Sequence, residues 1–196
     1  MKSLIFGVGA DDSSIQIDLD DPTPGSILVI GDSCAGKTFL LNAVAIGAKE
    51  IPLCSVYGIT DRPKELYGIP GGYTRGFANC GGLLTALATR ISPDQFPPVV
   101  LLIDGMDNLL ESQRNNFIRL FDDGPKSCIW PLVTLNTDKI TPSVIRWIGR
   151  KHMTTVFGRI ANQNLAAELD REFAKIQLLD NYWFWTKGIG ALTVIN

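Results

Sequence analysis

The sequence predicts an α/β fold: a mostly parallel sheet covered by helices on both faces, with antiparallel hairpins added at both termini. Three observations carry this expectation. Apolar strand-like runs alternate with helix-period segments through the middle of the chain. The run "PPVVLLIDG" is almost continuously apolar, as a strand buried on both faces of a parallel sheet must be. The stretch "ILVIGDSCAGKTFLL" passes from an apolar strand through a glycine turn into a helical pattern.

Composition allows this fold. The chain has 196 residues, 45% hydrophobic and 19% charged, enough apolar material for one full core. A net charge of −2 gives no overall basic footprint for nucleic acid, although a ring can still gather lysines and arginines locally. The cysteines Cys34, Cys54, Cys80 and Cys128 form no CxxC pair, which fits free thiols in a reducing compartment. No signal peptide and no spanning helix is expected, so a cytoplasmic protein without a membrane segment is the reading.

In chain order, residues 4–9 and 15–19 read as strands joined by the polar turn "ADDSS". "DDPTPG" breaks structure before strand 26–30. A helix follows in "KTFLLNAVAIGAKE", and a buried strand in 52–60. "NCGGLLTALATRI" suits a helix, "VVLLI" a strand, and "MDNLLESQRNNFIRLFDDG" a helix closed at Gly124. "CIWPLVTLN" reads as a strand made irregular at its start by Pro131. In "TPSVIRWIGRK", Thr141 is the expected N-cap and Pro142 sits in the first turn. "HMTTVFGRI" gives a further strand and "NLAAELDREFAKIQLL" one amphipathic helix. "YWFWTKGIGALTVI" closes the chain as a hairpin turning at "KGIG". We read one domain: an N-terminal hairpin over 1–25, a core over 26–160, and a closing helix and hairpin over 161–196.

Residues 31–38, "GDSCAGKT", match G-x-x-x-x-G-K-[ST] in the strand–loop–helix setting that the phosphate-binding loop requires. Glycines at 31 and 36 permit close backbone approach. Successive N–H groups and a helix N-terminus then face phosphate. Lys37 supplies charge to the β- and γ-phosphates, and Thr38 a hydroxyl to Mg²⁺. The expected ATP-binding set is Gly31, Asp32, Ser33, Cys34, Ala35, Gly36, Lys37, Thr38 and Phe39. Cys34 is either a redox-sensitive thiol among converging dipoles or a small side chain tolerated there.

Asp104 ends the buried strand, where parallel sheets bind ligands, and is expected to hold Mg²⁺ with Thr38. The alternative is a turn or cap aspartate. Many ring ATPases follow this aspartate with a glutamate that polarises water; here Gly105 follows. Asp107 and Glu111 are the nearby carboxylates, and each also fits a helix cap or surface. Asn136 ends the next strand and reads either as a γ-phosphate sensor or as a turn residue. Lys37, Asp104, Asp107 and Asn136 are therefore the candidate catalytic residues. His152, the sole histidine, reads as packing or surface, with a general base the alternative, and Trp183 and Trp185 as packing of the sheet edge or a subunit interface, with stacking on bases the alternative.

With these motifs in place, the chain resembles the FtsK/SpoIIIE–HerA class of P-loop motor ATPases along nearly its whole length. "IQIDLDDPTPGSILVIGDSCAGKTFLLNAV" looks like that family's first strands and Walker A, "GITDRPKEL" like the segment after its second core strand, "VVLLIDGMDNLL" like Walker B and "VTLN" like its sensor strand. The resemblance implies a three-layer RecA-like fold, ATP with Mg²⁺, a homo-oligomeric, hexameric ring and movement of double-stranded DNA. Some relatives instead drive protein secretion. An arginine supplied in trans is also implied, with Arg75, Arg90, Arg146, Arg150 and Arg159 as candidates. The chain departs from the family in lacking the Walker B glutamate, in a short segment between residues 66 and 83, and in showing no winged-helix domain or anchor. A nucleotide-binding switch or scaffold without strong hydrolysis is the alternative that Gly105 raises.

Overall fold

The computed structural model describes residues 2–9, 14–69, 73–92, 96–149, 153–176, 179–187 and 190–193. Its strands are β1 (Ser3–Gly9), β2 (Ser14–Asp18), β3 (Ser26–Gly31), β4 (Ser55–Ile59), β5 (Thr74–Arg75), β6 (Val99–Ile103), β7 (Ile129–Asn136), β8 (Met153–Phe157), β9 (Trp183–Thr186) and β10 (Gly190–Thr193). The helices are α1 (Lys37–Lys49), α2 (Gly81–Thr89), α3 (Glu111–Asp123), α4 (Pro142–Ile148) and α5 (Gln163–Leu169). One sheet holds all the strands in the order β2-β1-β10-β9-β8-β3-β7-β6-β4-β5.

From β8 to β5 the pairings are parallel. The remaining pairings are antiparallel. The two terminal hairpins stand side by side at one end of the sheet, with β9 and β10 joining β8 to β1 and only β2 at the margin. An extra edge is thereby avoided: each new strand covers the backbone groups of the one before it.

Each central strand feeds two cores, because successive side chains point to opposite faces. Ile27 and Val29 pack with Leu40, Leu41 and Val44 of α1. Leu28 and Ile30 face the other way, into a core shared with Leu84 of α2 and Phe117 of α3. All of β3 and all of β6 is buried, which is why both read as unbroken apolar runs.

Several elements differ from expectation for local reasons. Residues 106–108 form a 3-10 turn, Leu109 and Leu110 are extended, and α3 begins only at Glu111. The long closing helix is two pieces: α5 stops at Leu169 and a 3-10 turn follows over Phe173–Lys175. Asp170 makes the break, because its Oδ1 accepts the N–H groups of Glu172 (2.7 Å) and Phe173 (3.0 Å) and so competes with helical pairing. Pro131 lies within a regular β7; the ladder to β3 starts at Leu132, so its missing N–H falls outside that ladder. Thr141 caps α4 as expected, its hydroxyl accepting Val144 N–H. The "ADDSS" turn and the tip of the C-terminal hairpin lie outside the described residues.

The order β3-β7-β6 has a direct consequence. β7 inserts between the strand that leads to the glycine loop and the strand that leads to Asp104. Gly31 pairs with Asn136, and Ile103 with Val133, so the polar groups following three adjacent strands meet at one rim of the sheet. That rim is where open α/β sheets bind ligands.

Candidate nucleotide site

The loop between β3 and α1 is bent by two residues in the left-handed region, Cys34 (φ 65°) and Gly36 (φ 88°). Gly36 is required twice over. Its φ disfavours a β-carbon, and a β-carbon there would lie 2.7 Å from Cδ1 of Tyr182. The loop rims a cleft of about 420 Å³ lined by Lys37, Thr38, Asp104, Asn108, Asn136 and Tyr182, among others.

Lys37 is buried, and its ammonium donates to the carbonyls of Gly31 (2.9 Å) and Asp32 (2.7 Å). Burial lowers its pKa from the ordinary lysine value, with the charges of Asp104 and Asp32 opposing that shift. The hydroxyl of Thr38 donates to Oδ2 of Asp104 at 2.9 Å. Oδ1 of Asp104 accepts from Thr134 at 2.8 Å. The Thr38–Asp104 separation suits one small cation: octahedral Mg²⁺ with ligands at about 2.0–2.1 Å places neighbouring oxygens roughly 2.9 Å apart. Both donors are hard oxygens, and the residues present fit that ion.

The sequence-derived set divides in space. Ser33, Cys34, Gly36, Lys37, Thr38 and Phe39 line the cleft, while Gly31, Asp32 and Ala35 do not. Asp32 is a clasp: its carboxylate accepts from Thr137 Oγ1 and from Ala161 N–H (2.7 Å), and its own N–H donates to Arg159 O (2.8 Å). A carboxylate held this way is kept out of the position where it would repel phosphate. Asn136 lines the cleft from the end of β7. Asp107 does not line the cleft. It lines a second cavity of about 340 Å³ with Arg114, Phe117, Lys139 and Trp147, and its Oδ1 is buried without a hydrogen-bond partner. Glu111 pairs with Arg114 at 2.7 Å on the surface of α3 and does not line the cleft.

Four contributors escaped the sequence reading. Thr134 looks in sequence like any β-strand threonine. Asn108 sits inside what reads as a helix. Arg62 belongs to "GITDRPKEL", yet only folding brings its guanidinium 3.7 Å from Asp104 Oδ2. Tyr182 lies about 145 residues downstream of the glycine loop, and its N–H donates to Ala35 O (3.4 Å). Its ring meets that of Phe39 edge-on, centroids 5.2 Å apart.

Of the arginines considered for action in trans, Arg75 donates to Thr74 O, and Arg90 stacks over Phe96 while donating to Pro97 O. Arg146 lies on α4, and Arg159 follows β8. Arg150 and His152 fall outside the described residues. Trp185 is buried against Phe157 and Phe173, as hairpin packing predicts.

No protein-family model matches the chain, and no curated protein matches it in sequence. Solved structures do. The cytoplasmic domain of the type VII secretion ATPase EccC from Thermomonospora curvata superposes with a TM-score of 0.69 at 14% identity, over 98% of this chain and 26% of that one. EssC (ATPases 2 and 3) from Geobacillus thermodenitrificans gives 0.65 at 13% identity, over 100% and 44%. The genome packaging NTPase B204 of Sulfolobus turreted icosahedral virus 2, solved with AMPPCP, gives 0.61 at 11% identity, over 90% and 100%. The fold is that of a RecA-like P-loop ATPase domain. This ATPase-fold chain thus spans a quarter to under half of the EccC and EssC chains, and about the whole of the viral one. Among its described residues no helix is long and apolar enough to cross a membrane, and no cluster of three or more His, Cys, Asp or Glu side chains could hold a metal.

Proposed function

We propose that this chain binds ATP with Mg²⁺ and hydrolyses it as a motor domain of the FtsK/SpoIIIE–HerA class, working in an oligomeric ring on double-stranded DNA. The observation that carries the nucleotide part is the convergence of Lys37, Thr38 and Asp104 on one cleft at the end of the glycine loop. The loop's N–H groups and the N-terminus of α1 would receive the β-phosphate. Lys37 would leave its loop carbonyls for the β- and γ-phosphate oxygens. Thr38 and Asp104 would hold Mg²⁺, whose charge there offsets that of the phosphates. DNA as the moved polymer is supported by the likeness to a genome packaging NTPase of nearly the same domain size.

A second reading, a protein-secretion motor, is favoured by the likeness to the type VII secretion ATPase EccC, which superposes with a higher TM-score than the viral NTPase and over more of this chain. The test is ATP affinity by titration and turnover with and without Mg²⁺, for wild type and Lys37→Ala. Duplexes of increasing length are then added. Loss of binding or turnover in Lys37→Ala supports the site, and length-dependent stimulation by duplex supports the DNA reading. Wild-type turnover in Lys37→Ala refutes the site, and indifference to duplex refutes the DNA reading.

A further inference from the structure

Position 105 is more than a glutamate left out. Gly105 has φ 97° and ψ 72°, in the left-handed region that disfavours any β-carbon. A β-carbon built on it would lie 2.8 Å from Nδ2 of Asn108. The space into which a side chain at 105 would project is thus already taken by the Asn108 amide. That amide is placed there by local structure. The 3-10 turn over Met106–Asn108 is closed by Asn108 N–H donating to Gly105 O at 3.0 Å, and by Leu109 N–H donating to Met106 O at 3.2 Å. The start of the turn is anchored from the neighbouring strand, where Thr134 Oγ1 accepts Gly105 N–H at 2.8 Å. The side chain of Asn108 is exposed and lines the same cleft as Lys37, Thr38 and Asp104. Asp107, one residue earlier on the turn, lines the second cavity and not the cleft, although its Oδ1 lies 3.7 Å from the same built β-carbon.

We infer that Asn108 is the residue that orients the attacking water in this site. The inference rests on the ATPase reading above. A carboxamide can accept a hydrogen bond from water and donate one to it, so it can fix the water's direction. An amide fills this role in one class of P-loop NTPases. In the step, the water oxygen forms a bond to the γ-phosphorus while the bond from that phosphorus to the β,γ-bridging oxygen breaks. The electron pair of the broken bond leaves with ADP. An amide takes no proton at neutral pH, so the water proton passes to a phosphate oxygen, and the products are ADP and inorganic phosphate. Such a site gains positioning without general-base assistance, and its rate carries no carboxylate titration from this residue.

The experiment uses the purified full chain with Mg²⁺ and ATP. ATP affinity is measured by calorimetry and hydrolysis by single-turnover kinetics, with thermal melting to confirm folding. Asn108→Ala is expected to slow hydrolysis 10- to 100-fold while changing ATP affinity less than twofold. Asn108→Asp is expected to retain turnover and to gain a rise in rate with pH across the carboxylate range that the wild type lacks. Wild-type hydrolysis in Asn108→Ala overturns the inference. So does loss of hydrolysis in Asp107→Asn with Asn108→Ala unaffected. A wild type that binds ATP but hydrolyses none above the Asp104→Asn background overturns the inference and leaves nucleotide binding standing. A wild type that binds no ATP overturns both.

Discussion

The hydroxyl of Thr134 donates to Oδ1 of Asp104 at 2.8 Å and accepts the N–H of Gly105 at 2.8 Å. One side chain on β7 therefore orients the carboxylate and fixes the backbone of the turn that follows it. The other carboxylate oxygen is left to face Thr38. Thr134→Val keeps the shape and removes both hydrogen bonds. Groups that orient a metal ligand are commonly worth 10- to 100-fold in metal affinity. The variant is expected to need roughly tenfold more Mg²⁺ for half-maximal ATP binding, read from Mg²⁺ titrations at fixed nucleotide.

Placing after Asp104 the glutamate that many ring ATPases carry there should not produce strong hydrolysis. Gly105→Glu forces a β-carbon into left-handed backbone and against Asn108. Strain of this kind costs on the order of 1–3 kcal/mol. The expected outcome is a lower melting temperature with no gain in turnover. A hydrolysis burst above wild type in this variant would show that the turn relaxes easily.

The fold was legible because β3 and β6 are buried on both faces, and such strands cannot hide in a sequence. The glycine loop was legible because Gly31, Gly36, Lys37 and Thr38 are consecutive enough to carry their own geometry. The positions of Asn108 and Thr134 were not, since a turn and a strand register bring them to the Asp104 end of the cleft. The placement of Asp107 was not legible for the same reason: within a 3-10 turn adjacent side chains point about 120° apart, and of the pair only Asn108 lines the cleft. Asp32 lies inside the motif but acts as a clasp between the exits of β3, β7 and β8, a use the motif does not encode.

Tyr182 offers a test of where the base lies. It is 51% exposed, lines the cleft and packs against Phe39 next to the loop. An aromatic contact of this type is worth about 0.5–1.5 kcal/mol. Tyr182→Ala is expected to weaken ATP binding two- to tenfold, and Tyr182→Phe to preserve it. Tripolyphosphate, which has no base, should bind both variants alike. Equal loss of tripolyphosphate affinity would place the effect on the loop through Gly36 instead.

The thiols give a pH-dependent check on packing. Cys34 is exposed within the glycine loop, whereas burial pushes the Cys54 thiol up to about 11. At pH 8 a thiol of that pKa is ionised to roughly one part in a thousand, and the thiolate is the reacting form. Brief alkylation followed by peptide mass mapping should label Cys34 before Cys54, and Mg²⁺ with ATP should protect Cys34. The same shift bears on stability. Between about pH 8.5, where an unfolded thiol ionises, and about pH 11, the folded chain holds a proton that the unfolded chain releases. Stability from Cys54 is therefore complete below that window and is lost as pH rises through it. Cys54→Ala removes this loss, so the melting temperatures of variant and wild type should converge or cross as pH rises from 8 to 10. The comparison cancels the opposite-signed contribution of Lys37, whose lowered pKa is common to both chains.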